Sequence, residues 1–338
     1  MERLLAIQIK RIGDLILTAP ALARLRRAKP EAHLTLVTMG AAGQLVPAIP
    51  SVDQHFSYHY GRPNLRLWVE LALGGYDVAL DFNGSDRSVL MTWVSQADVR
   101  ATYTKRAKGR WREIVYTHTS RAPLRKFHTI DHMHGLLDVL DLQPIEGSEP
   151  EPPSLVVPGE TLARVDRLLG ERGVQGPFFV VHPGTARPEK YWLPERWAEV
   201  IDAIGSGPKN WPCVITGGND GAECRHIEGI LRVTRHRPIM MAGQLSLLET
   251  AGVIQRASLA LGVDTAAMHL AAALQRPQVA LFGPTNPFHW RPRNDLCRVV
   301  VPDRDGPLGE GDLDPRAEER PMSGVRASAV LAAVESLK

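Results

Sequence analysis

The sequence predicts an α/β protein made of two doubly wound parallel sheets. Three observations carry this. Short apolar runs alternate with helical stretches in both halves of the chain, the pattern of a parallel sheet covered on both faces. A Pro-, Glu- and Gly-rich segment, Leu142 to Glu160, separates the halves. The length, 338 residues, suits two domains. The expected layout is a first domain over 1–145, a linker over 146–160 and a second domain over 161–322. A final amphipathic helix over 323–338 is expected to return to the first domain.

The first half opens with a strand, Leu4 to Ile9, then a turn, Lys10 to Asp14. An amphipathic helix follows to about Ala28, with a kink expected at Pro20 because proline lacks the N–H that the helix needs. Further strands are His33 to Thr38 and Val78 to Phe82, the second entering the loop Asn83-Gly84-Ser85-Asp86. In the second half, Phe178 to His182 is a strand ended by Pro183-Gly184, and Pro194 marks a helix start. Cys213 to Thr216 is a strand leading into Gly217-Gly218-Asn219-Asp220-Gly221 and a helix from about Ala222. Ile239 to Ala242 is a strand, and Ser246 can cap the helix to Ala257. Leu259 to Val263 is a strand, with a helix from Asp264 to Leu274. Gln278 to Phe282 is the last strand, exiting at Gly283-Pro284-Thr285.

Composition narrows the class. The chain is 44% hydrophobic and 23% charged, which argues against wholesale disorder or a fibrous protein. No apolar run approaches a membrane span, and the first residues do not form a signal peptide, so a cytoplasmic location is expected. The cysteines Cys213, Cys224 and Cys297 offer neither a disulfide framework nor a CxxC zinc pair. The net charge of +3 divides unevenly, with +6 over 1–145 and −3 over 146–338. Arg100 to Lys126 holds nine basic residues against one acid, Glu113. Such a cluster is either a solvated loop face or a surface for a polyanion or an anionic membrane.

In doubly wound sheets, ligands bind beyond the carboxyl ends of the strands. That rule selects Asp14 and the loops at 183–190, 217–223, 264–265 and 283–287. Asp14 reads either as a helix N-cap or as a carboxylate able to take a proton from a hydroxyl, with the helix dipole lowering its pKa. Gly184 permits close backbone approach, and Thr185, Arg187 and Lys190 can reach a phosphate; the alternative is an ordinary polar loop, with Lys190 in a weak surface ion pair. Ala266 and Ala267 leave free N–H groups at a helix start, an anion site. Asp264 would order that turn. His269, one turn beyond Thr265, is either packed or part of the site. Other motifs are weak or missing. GxGxxG, Walker A and HExxH do not occur. Asp312-Leu313-Asp314 is a three-residue match to a metal-binding DxD. His128, His132 and His134 make a poor metal set, because only the first two share i,i+4 spacing.

These residues together resemble a known family, the bacterial ADP-heptose:lipopolysaccharide heptosyltransferases, which are family-nine glycosyltransferases. The similarity lies in Ile12 to Leu22 around Gly13-Asp14, in His182 to Trp192 with Pro194, Trp197 and Ile201, and in Gly262-Val263-Asp264-Thr265 with His269-Leu270. Gln278 to Thr285 continues it. Together they span nearly the whole chain in the family's order.

The resemblance implies the GT-B fold, two Rossmann-like domains facing across a cleft, with the acceptor on the first and the nucleotide sugar on the second. It implies inverting transfer of a heptose from ADP-heptose to the lipid A–Kdo inner core of lipopolysaccharide. No metal or other cofactor would be required. Asp14 matches the family's base, and Lys190 the lysine that neutralises the donor diphosphate. Gly184, Thr185, Arg187, Gly217, Glu223, Asp264, Thr265, Ala266, Ala267 and His269 fall in donor-binding segments. Asp220 and Glu223 are both candidates for the ribose acid. Lys10, Arg11, Arg62, Arg106, Lys108 and Arg110 are the cations expected to meet an anionic acceptor. Ala186 stands where some members have a second threonine, with Arg187 a possible substitute, and Ala266 where many have glycine. The enzyme would be a monomer associated peripherally with the inner membrane, with no nucleic-acid partner. The alternatives are another GT-B sugar-nucleotide enzyme, such as a 2-epimerase, and a non-catalytic nucleotide-binding protein.

Overall fold

Each half of the chain builds one six-stranded parallel sheet. The computed structural model describes residues 1–123, 126–142 and 154–337; the Arg110 side chain lies outside the described residues. So do residues 143–153, which hold most of the expected linker. The chain divides into two units, Met1–Val156 and Val157–Lys338.

In the first unit the strands are β1 (Arg3–Gln8), β2 (His33–Met39), β3 (Gln54–Tyr58), β4 (Val78–Asp81), β5 (Val99–Tyr103) and β6 (His118–Ser120). Their order is β3-β2-β1-β4-β5-β6, and every pair is parallel. The helices are α1 (Ile12–Ala28), α2 (Leu65–Leu73), α3 (Asp86–Val94), α4 (Arg110–Val115) and α5 (Thr129–His134). Helix α1 packs on α5, whereas α2 packs on α3 and α3 on α4. Leu67 and Leu71 of α2 and Met91 of α3 bury against Leu5, Ile7 and Val37 of the sheet. A fully buried apolar side chain of this kind contributes about 1.5–3 kcal/mol.

The second unit repeats the topology. Its strands are β7 (Phe179–His182), β8 (Cys213–Ile215), β9 (Ile239–Met240), β10 (Leu259–Val263), β11 (Gln278–Leu281) and β12 (Cys297–Val300). They order as β9-β8-β7-β10-β11-β12, again all parallel. The helices are α6 (Gly159–Glu171), α7 (Pro194–Gly205), α8 (Gly221–Val233), α9 (Leu247–Arg256), α10 (Ala266–Ala273), α11 (Pro287–Trp290) and α12 (Ala327–Glu335). Pro194 stands in the first turn of α7, and Ser246 caps α9 in a reciprocal capping box with Glu249.

Several expectations need correcting. Helix α1 begins at Ile12, with Arg11 as N-cap, so Asp14 lies inside the first turn. The basic stretch from Arg100 is not one solvated loop, since it contains most of β5, all of α4 and β6. Helix α12 packs on α7, β11 and β12 of the second unit. Its approach is held by Trp192, whose Nε1 donates to Val325 O at 3.0 Å, and by Arg196, whose guanidinium donates to the same carbonyl. Trp192 in turn meets Trp197 edge to face, ring centres 4.9 Å apart.

Candidate functional site

In a doubly wound sheet, the first strand feeds loops outward on both sides, and a crevice opens where the strand order reverses. That point lies between β1 and β4 in the first unit and between β7 and β10 in the second. Both places collect the chemistry-bearing residues.

In the first unit, Lys10, Arg11 and Asp14 follow β1. Asn83 follows β4 and ties the two exits together. Its Oδ1 accepts from Ile9 N at 2.6 Å, and its Nδ2 donates to Gln8 Oε1 at 2.9 Å. Gln8 Nε2 donates to Thr18 Oγ1 at 2.7 Å, and Thr18 donates to Asp14 O at 2.7 Å. The buried Asp81 shapes the β4 exit. It accepts from Asn83 N, Gly84 N and the Tyr116 hydroxyl at 2.7, 2.9 and 2.5 Å. Arg106, beyond β5, donates to Phe82 O at 2.7 Å and to Asn83 O. It is a fixed cation, not a loose surface arginine.

These groups perturb one another. Burial raises the pKa of Asp14, and Lys10, the Arg11 N–H, Arg106 and the Arg11 charge partly offset this. The expected lowering by the helix dipole is therefore outweighed by desolvation. Burial lowers the pKa of Lys10, and Arg106 adds to that, while Asp14 and Asp81 oppose it. Lys10 and Arg106 thus meet two carboxylates, the half-buried Asp14 and the buried Asp81, around the β1 and β4 exits. Arg62 sits beyond β3, at the edge of the sheet, and Lys108 is exposed between β5 and α4. Neither is drawn into the Asp14 cluster by any hydrogen bond or ion pair among the described residues.

In the second unit, Lys190 and Asp264 bridge the reversal point. Lys190 Nζ donates to Asp264 Oδ2 at 2.5 Å and to Asp264 O at 3.1 Å, and both residues are buried. Lys190 is therefore not in a surface pair with Glu189, which binds Arg187 instead. Thr285, beyond β11, donates to Asp264 Oδ2 at 2.7 Å. His269 Nε2 stands 4.0 Å from Asp264 Oδ1. Burial lowers the His269 pKa, which Asp264 opposes and Lys190 reinforces, so the imidazole is neutral near pH 7. Helix α10 starts here with no side-chain cap, and Thr265 Oγ1 and His269 Nδ1 are buried without a partner. The uncapped N–H groups and the helix dipole suit an anion.

Gly184 follows β7 and Gly217 follows the neighbouring strand β8. The close neighbour at both is Glu223, whose carboxylate a Cβ at Gly184 would overlap. Glu223 Oε1 also accepts from Gly218 N at 2.9 Å, and burial raises its pKa. Asp220 caps α8 by accepting from Ala222 N at 2.9 Å. Thr185 Oγ1 accepts from Arg187 N at 3.2 Å, turning the loop toward Lys190. Thr285 lies in the 283–287 loop that the strand-exit rule selects but is not singled out from sequence, and Asn83 lies outside the loops selected. Their sequence signals were slight: a hydroxyl closing the Gly283-Pro284-Thr285 exit, and an amide at the head of the β4 loop.

His128 Nδ1 accepts from Ile130 N at the start of α5. His132 stacks on Tyr103 with ring centres 3.8 Å apart, and both its ring nitrogens are buried without a hydrogen-bond partner. Asp312 accepts from Arg304 and from Gly309 N, and Asp314 from Arg316 N.

Comparison with known proteins agrees with this architecture. The family model for glycosyltransferase family 9 (heptosyltransferase) matches residues 64–307. Lipopolysaccharide heptosyltransferase 3 of Escherichia coli is 24% identical over 339 residues, covering 96% of this chain and 96% of that protein. The family 9 glycosyl transferase of Veillonella parvula superposes with a TM-score of 0.85 at 23% identity, covering 99% of this chain and 97% of that one. The E. coli ADP-heptose lps heptosyltransferase II superposes with a TM-score of 0.78 at 20% identity, covering 100% and 98%. Two Rossmann-like units of this kind are the GT-B fold of those neighbours, and the family match makes the protein a glycosyltransferase. The chain belongs to glycosyltransferase family 9, the heptosyltransferase family.

Proposed function

We propose that the protein is an inverting heptosyltransferase of lipopolysaccharide core assembly. It would transfer a heptose from ADP-heptose, the sugar nucleotide in one neighbour's name, to the lipid A–Kdo inner core, the acceptor that the family resemblance implies. The observation that carries this reading is the second-unit assembly: a buried lysine–carboxylate pair beside an uncapped helix start. An ammonium has three N–H donors, and two are spent on Asp264, so one stays available to a diphosphate oxygen. That N–H, the amides of Ala266 and Ala267, and the α10 dipole stabilise the ADP leaving group electrostatically. Thr265 Oγ1 and His269 Nδ1 supply polar atoms that a bound nucleotide sugar can satisfy.

Asp14 acts as base. It takes the acceptor hydroxyl proton as that oxygen attacks the anomeric carbon and the bond to ADP breaks on the opposite face. Its raised pKa makes it a stronger base than an exposed aspartate. Lys10, Arg11 and Arg106, with Arg62, Lys108 and Arg110 elsewhere in the first unit, would neutralise acceptor phosphates and carboxylates. The reaction uses no metal, and the protein works as a monomer at the inner leaflet. The test is a transfer assay with ADP-heptose, with the product anomer read by NMR and the assay repeated in excess EDTA. Undiminished, inverted transfer in EDTA is expected. Retention of configuration would overturn the direct displacement, and loss in EDTA restored by magnesium would overturn the metal-free step.

A further inference from the structure

Among the described residues, the large apolar side chains that face solvent are unevenly placed. Nine of the fourteen lie between Tyr60 and Phe127 of the first unit. Most come from α2, α3 and α4, three successive helices that pack side by side. On α2, Leu65, Val69 and Leu73 recur at i, i+4 and i+8, and so form one stripe; Leu65 is 72% and Leu73 81% exposed. The opposite stripe, Leu67 and Leu71, is the one buried in the core. On α3, Leu90 and Trp93 are exposed three residues apart, and on α4, Trp111 and Ile114 repeat that spacing, with Ile114 at 79%. Each helix therefore shows apolar residues on both faces. One face is explained by the sheet and the other has no cover in the folded unit. Exposed large apolar side chains gathered on three helices that pack side by side mark an interaction surface.

The charges around it select the partner. Arg66 and Arg87 are exposed beside the stripes, with the Arg87 guanidinium 4.3 Å from the centre of the Tyr60 ring. Of the acids of the layer, Glu70 pairs with Arg3 at 3.3 Å and Asp86 with Arg112 at 2.5 Å, while the exposed Glu113 accepts from Gly109 N at 3.3 Å. Lys105 and Lys108 lead into α4. Tryptophan and tyrosine mixed with arginine and lysine around an aliphatic centre is the composition of a surface that lies in a bilayer interface. A second copy fits poorly, because a twofold contact would set this cationic rim against itself. We propose that the outer face of α2, α3 and α4 is a docking surface for an anionic lipid bilayer. No helix among the described residues is long and apolar enough to cross a membrane, so the contact is an in-plane one. The inference deepens the proposed reaction and rests on its lipid-borne acceptor, which must be met at a membrane.

The test is flotation of the full chain with vesicles of phosphatidylethanolamine and phosphatidylglycerol, with phosphatidylcholine vesicles as the uncharged control. It needs neither donor nor acceptor, so failure of docking and failure of the reaction are read separately. The wild type should float with the anionic vesicles. Leu73→Glu, Trp93→Glu and Ile114→Glu together should lower the partition coefficient by at least about tenfold. ADP affinity should stay unchanged. Arg66→Gln with Arg87→Gln should lower it less, and that loss should vanish at high salt. Should the triple variant fail to fold by circular dichroism, Leu73→Glu alone carries the test. Equal flotation of wild type and variant would overturn the proposal, as would a wild type that ignores anionic vesicles. A wild-type dimer that the triple variant dissociates, without vesicle binding, would assign the face to a second copy instead.

Discussion

The two units have the same strand order, yet they treat charge at the reversal point in different ways. In the second unit the cation is matched: Lys190 and Asp264 form a buried pair, and Thr285 takes up a further lone pair of the carboxylate. In the first, Lys10 and Arg106 lie near the half-buried Asp14 and the buried Asp81, and burial disfavours the charged forms of both Lys10 and Asp14. A matched pair holds its geometry and its charge through a binding cycle. A cluster whose charged forms burial disfavours is suited to exchanging a proton. On the proposed function, the same scaffold would serve a holding site in one unit and a reacting site in the other.

Removing the reacting group tests that contrast most severely. Asp14→Asn keeps the shape and removes the base, so kcat should fall by at least ~100-fold. ADP affinity, which belongs to the other unit, should not change. A variant retaining more than about a tenth of wild-type kcat would place the base elsewhere. On the holding side, Lys190→Ala should leave Asp264 buried without its cation, which typically costs about 3–5 kcal/mol. It should weaken ADP binding more than Arg187→Ala does, because Arg187 is half exposed and paired only with Glu189. Adding Asp264→Asn to Lys190→Ala should recover part of the stability but none of the ADP affinity. Thermal unfolding and ADP titration of the single and double variants separate the two roles.

How much of this was legible beforehand depends on what each feature needs. The buried strands β7 and β10 announce themselves as short apolar runs ended by Pro-Gly or Asp, and Ser246 three residues before Glu249 is a local signal complete in itself. Strands β3, β5, β6 and β12 were not placed. They are short and carry polar or charged residues such as His55, Arg100, His118 and Arg298, so no apolar run marks them. The site divides in the same way. Asp14 and Lys190 stand in strand exits and could be named from sequence, with the family resemblance supplying their roles. Their partners could not. Asp264 is 74 residues from Lys190 and meets it only because β7 and β10 are neighbours. Arg106 reaches Phe82 and Asn83 because β5 pairs with β4. Even the sign of the Asp14 shift needed the fold, since the helix start was visible and the burial was not.

A smaller effect is expected at His182, which ends β7 and donates to or accepts from Thr216 Oγ1 at 3.0 Å. Burial lowers its pKa from 6.5 to about 4. The unfolded chain therefore binds a proton near pH 6.5 that the folded chain refuses until about pH 4. The native state is favoured fully above the unfolded value, and that advantage is lost as pH falls through the interval, by at most roughly 3 kcal/mol. His182→Asn keeps a polar partner for Thr216 and removes the titration. Its stability deficit against wild type at pH 7 should shrink as the pH approaches 4. A deficit constant with pH, measured by denaturant unfolding, would show that the ring does not titrate across folding.

The finest test of the contrast concerns Arg106. Burial raises the Asp14 pKa, and Arg106 is one of the cations holding that rise in check. A base must be ionised to act, so kcat/KM should decline as pH falls through the Asp14 value. Arg106→Gln withdraws a positive charge, disfavours the carboxylate further and should move the acid limb of the profile to higher pH. The plateau above the limb should change less, because Asp14 is ionised there in both proteins. Arg106 also anchors the Phe82 and Asn83 carbonyls, so a structural explanation must be separated from an electrostatic one. Arg106→Lys does this, since it keeps the charge and gives up the planar fork. If charge is what matters, the lysine variant keeps the wild-type limb while its plateau drops. If both variants shift the limb equally, Arg106 acts by holding the loop, and its charge is not what tunes the base.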